Sequence, residues 1–495
     1  METAARKDYN VIAIGAGATG LVTTSAIAGL GGRAALVERH KMGGDCLNFG
    51  CVPSKGLISS ARLVQKIREA PRWGLDAQEP RFDLQQVFAS MRARRAVIEP
   101  NDSQERYESL GVEVFRGEAK FLSPHEIEVN GEVLRAKSIV IAAGSRAMVP
   151  PVKGIESASY FTNENIFDHL AKTPRSLLVL GGGPIGCELG QVFQRLGVDV
   201  TICEYFPQIL IREDREVSEL LRGRLEAEGA RILTGMKCVE AMKRSDGGIS
   251  MKVEPVDAAD GRTPMILDAD AMLVAAGRVP NVENLNLEAA GVEYGSRGIH
   301  VNESMQTSQP HIFAGGDIAG CYQFTHVADH HARIIVENII RRMIPPLRWL
   351  GKLAKANTTV LPWTTYTGPE VARVGLNETE AKKAGVEHTV FKVELKHVDR
   401  YILEREDEGF VKVIAEPKSG RILGATIVGE NAGELIHEFA LAMKHRITLG
   451  QIASTIHAYP SRSEAVRKAG DAFNRTRLTP GKKKFLAGLF RRHLP

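Results

Sequence analysis

Cysteine is scarce, six in 495 residues, which excludes a secreted domain stapled by disulfides. No apolar run approaches the roughly 20 residues that cross a bilayer, so no membrane span is expected. Met1 to Asn10 is polar and lacks the apolar stretch of a signal peptide. Neither sign of charge dominates: the formal net charge is +5. With aromatics at 6% and no basic stripe interleaved with them, a nucleic-acid partner is not expected. What is there is ordinary globular usage, 43% hydrophobic and 25% charged, in a chain long enough for roughly two to four domains. These absences leave a cytoplasmic enzyme as the expectation. In a reducing compartment a close cysteine pair is more often catalytic than structural.

Such a pair exists. Cys46 and Cys51 lie in Gly43-Gly44-Asp45-Cys46-Leu47-Asn48-Phe49-Gly50-Cys51-Val52-Pro53-Ser54-Lys55. A helix rises about 1.5 Å per residue, so five steps span roughly 7.5 Å, beyond the usual Cα separation of a disulfide. If the two bridge, the backbone between them is not regular helix, and Gly50 permits the distortion. Pro53 suits the first turn of a helix over Ser54 to Glu69, which puts Cys51 near a helix N-terminus, where a thiolate is favoured. Lys55, four residues on, reaches the same face. This stretch alone leaves two other readings open. One is a zinc site with His40, which lacks a fourth ligand; the other is a pair of inert buried thiols.

The rest of the chain supplies two nucleotide sites. A strand from Tyr9 to Ile14 runs into Gly15-Ala16-Gly17-Ala18-Thr19-Gly20, a helical pattern to Leu30 and a strand, Arg33 to Val37, closed by Glu38. Glycines for close approach of a pyrophosphate, a helix N-terminus and an acid for a ribose hydroxyl form a dinucleotide fingerprint in its proper context. The pattern recurs: strand Ser176 to Leu180, Gly181-Gly182-Gly183-Pro184-Ile185-Gly186, helix Cys187 to Leu196, strand Val198 to Cys203 and Glu204. Further strands are expected at Val112 to Phe115, Glu126 to Val129, Ser138 to Ile141 and Leu273 to Ala276. Ala142-Ala143-Gly144-Ser145 and Gly315-Gly316-Asp317 are small-residue turns after strands. From about Pro362 the fingerprints stop; strands at Phe410 to Ile414 and Ile422 to Val428 and a helix at Ala432 to His445 indicate a third domain. Two cofactors with a cysteine pair between them imply electron transfer to sulfur.

With these motifs in order, residues 8 to 475 resemble the flavoprotein disulfide reductases, the family of lipoamide dehydrogenase, glutathione reductase and mercuric reductase, and most resemble mercuric-reductase-like members. The resemblance implies an α/β fold: two Rossmann-like nucleotide-binding domains plus a C-terminal α+β dimerisation domain. The corresponding limits are 1–150 and 281–346 for FAD, 151–280 for NAD(P), 347–480 for dimerisation and 481–495 for a basic tail. It implies FAD held by Gly15, Gly17, Gly20, Glu38, Gly44, Lys55, Ala119, Ala143, Gly144, Ser145, Asp317 and His326. The nicotinamide cofactor would be held by Gly181, Gly183, Ile185, Gly186, Glu204, Gly277 and Arg278, with NADH expected over NADPH because Glu204 repels a 2′-phosphate. Cys51 would be the thiol facing the flavin, Cys46 the thiol meeting substrate, and Lys55 would pair with Glu188. A homodimer is implied, with Tyr459 and Glu464 completing the partner's site.

The departures bear on the acceptor. Family members that reduce disulfides carry His-Pro followed by Glu; here the segment reads His457-Ala458-Tyr459-Pro460-Ser461-Arg462-Ser463-Glu464. His457 lies two residues early, about 6.6 Å along an extended segment. Tyrosine resembles mercuric reductase, but no cysteine follows Cys321, so the vicinal pair that ends that enzyme is missing, and its N-terminal metal-carrying domain is not expected either. Three functions follow: a reductase of a metal ion, quinone or reactive species; a reductase of a small disulfide; or a non-catalytic or membrane-associated flavoprotein. Basic and apolar residues mix at Arg341 to Lys355 and Lys482 to Arg492. These are expected to be either peripheral contacts with an anionic membrane or a solvated linker and a loose terminus.

Overall fold

The computed structural model describes residues 7–257, 259, 261–320, 322–344 and 352–493. Cys321 and residues 345–351 of the first basic stretch lie outside these. Contacts gather the chain into two compact units: residues 1–205 with 235–357, and residues 206–234 with 358–495.

The first unit is built on the strand Lys7–Ile14, whose half from Val11 to Ile14 is buried on both faces. That continuous apolar run is what a central parallel strand requires. Ala34–Glu38 pairs with it on one side and Glu132–Ile141 on the other, both parallel. Val112–Arg116 extends the sheet beyond Ala34–Glu38, and Ile312–Ala314 lies parallel to the end of Glu132–Ile141. Two antiparallel strands, Glu126–Val129 and Ala119–Ser123, complete it.

A second parallel set repeats the theme, with Ser176–Leu180 between Asp199–Glu204 and Ala271–Val274. Gly15 to Gly181 and Glu38 to Glu204 are the same 166 residues apart. Three antiparallel strands not expected from sequence, Met236–Lys243, Ile249–Pro255 and Met265–Ala269, form a separate sheet. The arginine-rich region from Arg81 to Arg106 also gains structure, the helix Leu84–Ile98 capped by Asp83.

The second unit centres on five antiparallel strands in the order Pro362–Thr365, Glu370–Gly375, Ile422–Gly429, Phe410–Ala415 and Thr389–Glu394. Its core includes Phe391, Tyr401, Phe439 and Phe473. Residues 206–234, placed by the sequence reading in 151–280, group here for an electrostatic reason. Buried Lys412 puts its Nζ 2.9 Å from Asp214, 2.6 Å from Glu216 and 2.6 Å from Glu378. These three carboxylates have the spacing of a metal site, but the ammonium occupies their centre. Arg373 adds a hydrogen bond to the Arg212 carbonyl at 2.7 Å.

The basic tail forms a helix. Thr479 caps the helix Pro480–Arg492, which is exposed throughout. Among the described residues no helix is long and apolar enough to cross a membrane.

Candidate active site

The short helix Gly44–Asn48 carries Cys46 and ends at Phe49 (φ −135°, ψ 0°). After Gly50 (φ −128°, ψ −112°) the chain re-enters helix at Cys51, three residues before the expected Ser54, and continues to Glu69. Cys51 is therefore the first residue of a helix, and the break brings both thiols, free here, within hydrogen-bonding reach. The Thr325 hydroxyl lies 3.4 Å from the Cys51 sulfur and also bonds Cys46. A hydrogen bond from Cys46 is the main influence on Cys51. Thr325 and the charge of Lys55 add to it against burial, drawing Cys51 down to about 6. The same bond, and then burial, push Cys46 up. The pair thus divides into a thiolate and a thiol. Lys55 meets Glu188 at 2.8 Å, the acid being buried on the helix Pro184–Arg195.

The first glycine turn suits a pyrophosphate. Gly15 has φ +108°, and a Cβ there would meet the Ala142 carbonyl at 2.3 Å; one on Gly20 would meet the Gly15 carbonyl at 1.9 Å. Gly17, by contrast, faces open space, and the helix Ala18–Gly29 that it caps has no side-chain cap. A dipole-favoured anion site is what remains. Glu38 accepts from Ala16 N at 2.7 Å and His40 N at 2.6 Å, fixing the turn. A Cβ on Gly44 would stand 2.8 Å from Gly17 Cα, so the redox stretch abuts this turn. Ala119 is buried in its strand, and the Ala143 carbonyl accepts from Asn281 at 2.9 Å. After Gly144 (φ +66°), Ser145 donates to Asp317 at 2.5 Å. His326 is exposed next to Thr325 and stacks on Phe324. These residues fit FAD.

The second turn has the same build. Gly181 has φ +116°, Gly183 faces open space, and a Cβ on Gly186 would meet the Gly181 carbonyl at 1.9 Å. Glu204 accepts from Gly182 N at 2.5 Å, and Ile185 lies in the first turn of the helix. Gly277 has φ +137°. The guanidinium of Arg278, expected at the nicotinamide cofactor, is held by a hydroxyl and two carboxylates. It donates to Ser145 Oγ at 2.7 Å and approaches Asp45 at 3.3 Å and Asp317 at 3.5 Å. The strand Arg278–Pro280 pairs with Ser145–Ala147, which carries the guanidinium to residues expected at the flavin. Burial pushes the Asp317 carboxyl up, against the opposing pull of that guanidinium.

Three residues here were missed from sequence: Thr325, Asp45 and His331. His331 is buried and its Nδ1 accepts from Gly316 N at 3.2 Å, one residue before Asp317. Burial lowers it to about 4, so it is neutral. Asp45 had a signal, an acid adjoining a thiol. Thr325 had none, because it meets Cys51 across 274 residues.

In the second unit Tyr459 is 72% exposed and donates to Asp399 at 2.9 Å, a bond that raises its pKa. Both ring nitrogens of His457 are engaged, by the Thr455 carbonyl and by Glu438, each at 2.9 Å. Glu464 is buried; Arg467 and Lys468 hold its Oε1, while among the described residues Oε2 has no hydrogen-bond partner. Ile456, in the same segment, is 97% exposed.

Comparison with known proteins agrees with this build. The chain belongs to the pyridine nucleotide-disulphide oxidoreductases, whose family description matches residues 9–332. The dimerisation domain of that family matches residues 361–470 and supports a homodimer. The protein is an FAD-dependent enzyme that uses a pyridine nucleotide. A dihydrolipoyl dehydrogenase of Thermus scotoductus is 38% identical, covering 95% of this chain and 98% of its own. A mercuric reductase of Bacillus cereus is 32% identical over 94% of this chain and 72% of its own. Among solved structures, the HOCl-induced flavoprotein disulfide reductase RclA from Escherichia coli superposes with a TM-score of 0.80 at 25% identity, over 94% of this chain and 99% of its own.

Proposed function

We propose that the protein oxidises NADH and passes the electrons through Cys46 and Cys51 to an acceptor that needs no proton at a departing sulfur. Candidates are a thiophilic metal ion, a quinone, or a reactive sulfur or chlorine species. The observation that carries this reading is the segment around Tyr459. Where relatives that reduce disulfides would need a free imidazole, this chain offers a phenol bonded to Asp399, and its nearest histidine is engaged at both nitrogens. A phenol with a raised pKa is a poor proton acceptor at neutral pH. FAD, bound along Gly15, Gly17, Gly20, Gly44 and Asp317, supplies two-electron chemistry between nicotinamide and sulfur. Around it, Lys55 is fixed by Glu188, Thr325 holds both sulfurs, Cys51 is kept as thiolate and Cys46 is kept protonated until it meets the acceptor. Tyr459 and Glu464 of one subunit serve the thiols of the other.

Glu204 disfavours a 2′-phosphate, so NADH is the preferred coenzyme; a higher kcat/KM with NADPH contradicts this. The 38% identity with a dihydrolipoyl dehydrogenase favours a second reading, reduction of a small disulfide. Steady-state rates with NADH across lipoamide, glutathione disulfide, Cu(II), Hg(II) and a short-chain quinone separate the two. The proposal expects the disulfides to be slowest and falls if lipoamide matches the fastest acceptor.

A further inference from the structure

The helix Pro480–Arg492 has a face that the enzyme's chemistry does not use. At 100° per residue, Phe485, Leu486, Leu489 and Phe490 fall within an arc of about 140°, and all four are exposed, Phe490 at 74% and Phe485 at 67%. Lys483 and Arg492 border this arc, Lys484 and Arg491 lie opposite, and Lys482 falls inside it at the N-terminal end of the helix, where its long side chain reaches past the apolar face. After Asp471 the sequence has seven Lys or Arg and no Asp or Glu. Lys482 and Lys483 occupy the first turn, the positive end of the dipole, and Lys484 follows, and Gly481 and Gly488 weaken the helix further. Thirteen such residues are marginal as a helix in water. What would hold them helical is a surface that is both negative and apolar.

We propose that this helix docks the enzyme on an anionic lipid surface, lying in the interface with the two phenylalanines and two leucines inserted and the lysines and arginines at the headgroups. Charge decides between occupants. A second copy of the helix would set five cations against five, so self-pairing is disfavoured, whereas phosphatidylserine offsets both the lysines and the helix dipole. The other basic stretch differs. Among its described residues Arg341 pairs with Glu337 and Lys355 with Glu303, and neither is available in the same way.

The test is flotation of purified holoenzyme with phosphatidylcholine vesicles, with and without phosphatidylserine. Binding is expected only to the anionic vesicles and weakens as salt shortens the screening length from about 10 Å to about 3 Å. The pair Phe485→Ser with Phe490→Ser should lower binding about tenfold or more, since burying one phenylalanine accounts for that much. NADH oxidation in solution should stay unchanged, because neither residue belongs to a cofactor turn or to the thiol site. Equal binding to both vesicle types, no binding to either, or full binding by the double variant each overturns the proposal. So does a double variant that changes the oligomeric state, because the face would then be covered by the second copy.

Discussion

Cys51 is made a thiolate by three neighbours, and each contribution is separable. In the reduced holoenzyme, alkylation of Cys51 by iodoacetamide, followed by peptide mass spectrometry, should show a midpoint near 6 instead of the roughly 8.5 of a free thiol. Thr325→Val removes a donor and Lys55→Met removes a positive charge, so each should move the midpoint upward; a wild-type midpoint near 8.5 refutes the arrangement. His331 gives a second titration at this scale. Its folded value is about 4 against 6.5 unperturbed. The folded state therefore binds fewer protons between those values, and stability that is full above pH 6.5 is lost as the pH falls toward 4, by up to about 3 kcal/mol. Chemical denaturation from pH 7 to pH 4 should show this loss in wild type and a smaller one in His331→Gln. Equal slopes would mean that His331 titrates normally. The sequence displayed Cys46, Cys51, Lys55 and Glu188 because motif order announces them. It did not display Thr325 or His331, whose importance comes from chain segments meeting far from their own positions.

The two glycine turns were legible as elements, because a strand, a tight turn, a helix and an acid must follow one another within a few dozen residues. Expected strand ends fall close to the observed ones for Ser176–Leu180 and Glu126–Val129. The three-stranded sheet at Met236–Lys243, Ile249–Pro255 and Met265–Ala269 was not legible. Its strands mix lysine, glutamate and methionine and are buried at only two or three positions each, so they carry no continuous apolar run. The helix of Cys51 was placed three residues late because Pro53 marked its first turn but not its first residue. The approach of Arg278 to Asp45 and Asp317 was not legible, because its glycine-flanked motif fixes the backbone but not the direction of the guanidinium. The equivalence of the turns yields a prediction. A side chain at Gly186 must displace the Gly181 carbonyl, 1.9 Å from its Cβ, at a cost of about 1–3 kcal/mol. Gly186→Ala should raise KM for NADH about tenfold or more while the flavin-to-protein absorbance ratio stays at one FAD per chain. Gly20→Ala should instead lower that ratio. If both variants lose flavin, the two turns do not divide the cofactors as proposed.

For the molecule as a whole, the question is whether one chain contains a working site. The proposal says it does not: Cys46 and Cys51 lie in the first unit, and Tyr459 and Glu464, in the second, serve the other subunit of the dimer that the dimerisation domain supports. The exposure of Tyr459 at 72% and Ile456 at 97% agrees with a surface that a partner covers, and the orphaned Oε2 of buried Glu464 is a polar atom still lacking its contact. Two defective chains should then complement each other. Cys46→Ser alone should abolish turnover, and Tyr459→Phe alone should lower it about tenfold, the worth of one hydrogen bond. A dimer with one chain of each kind has one site with both defects and one with neither. Purified by two different affinity tags, that mixed dimer should show about half of wild-type activity. If Tyr459 instead served the cysteines of its own chain, each site would carry a single defect and the mixed dimer would reach only about a twentieth. The two outcomes differ roughly tenfold, so a single kcat measurement on the doubly tagged dimer decides whether the site is shared.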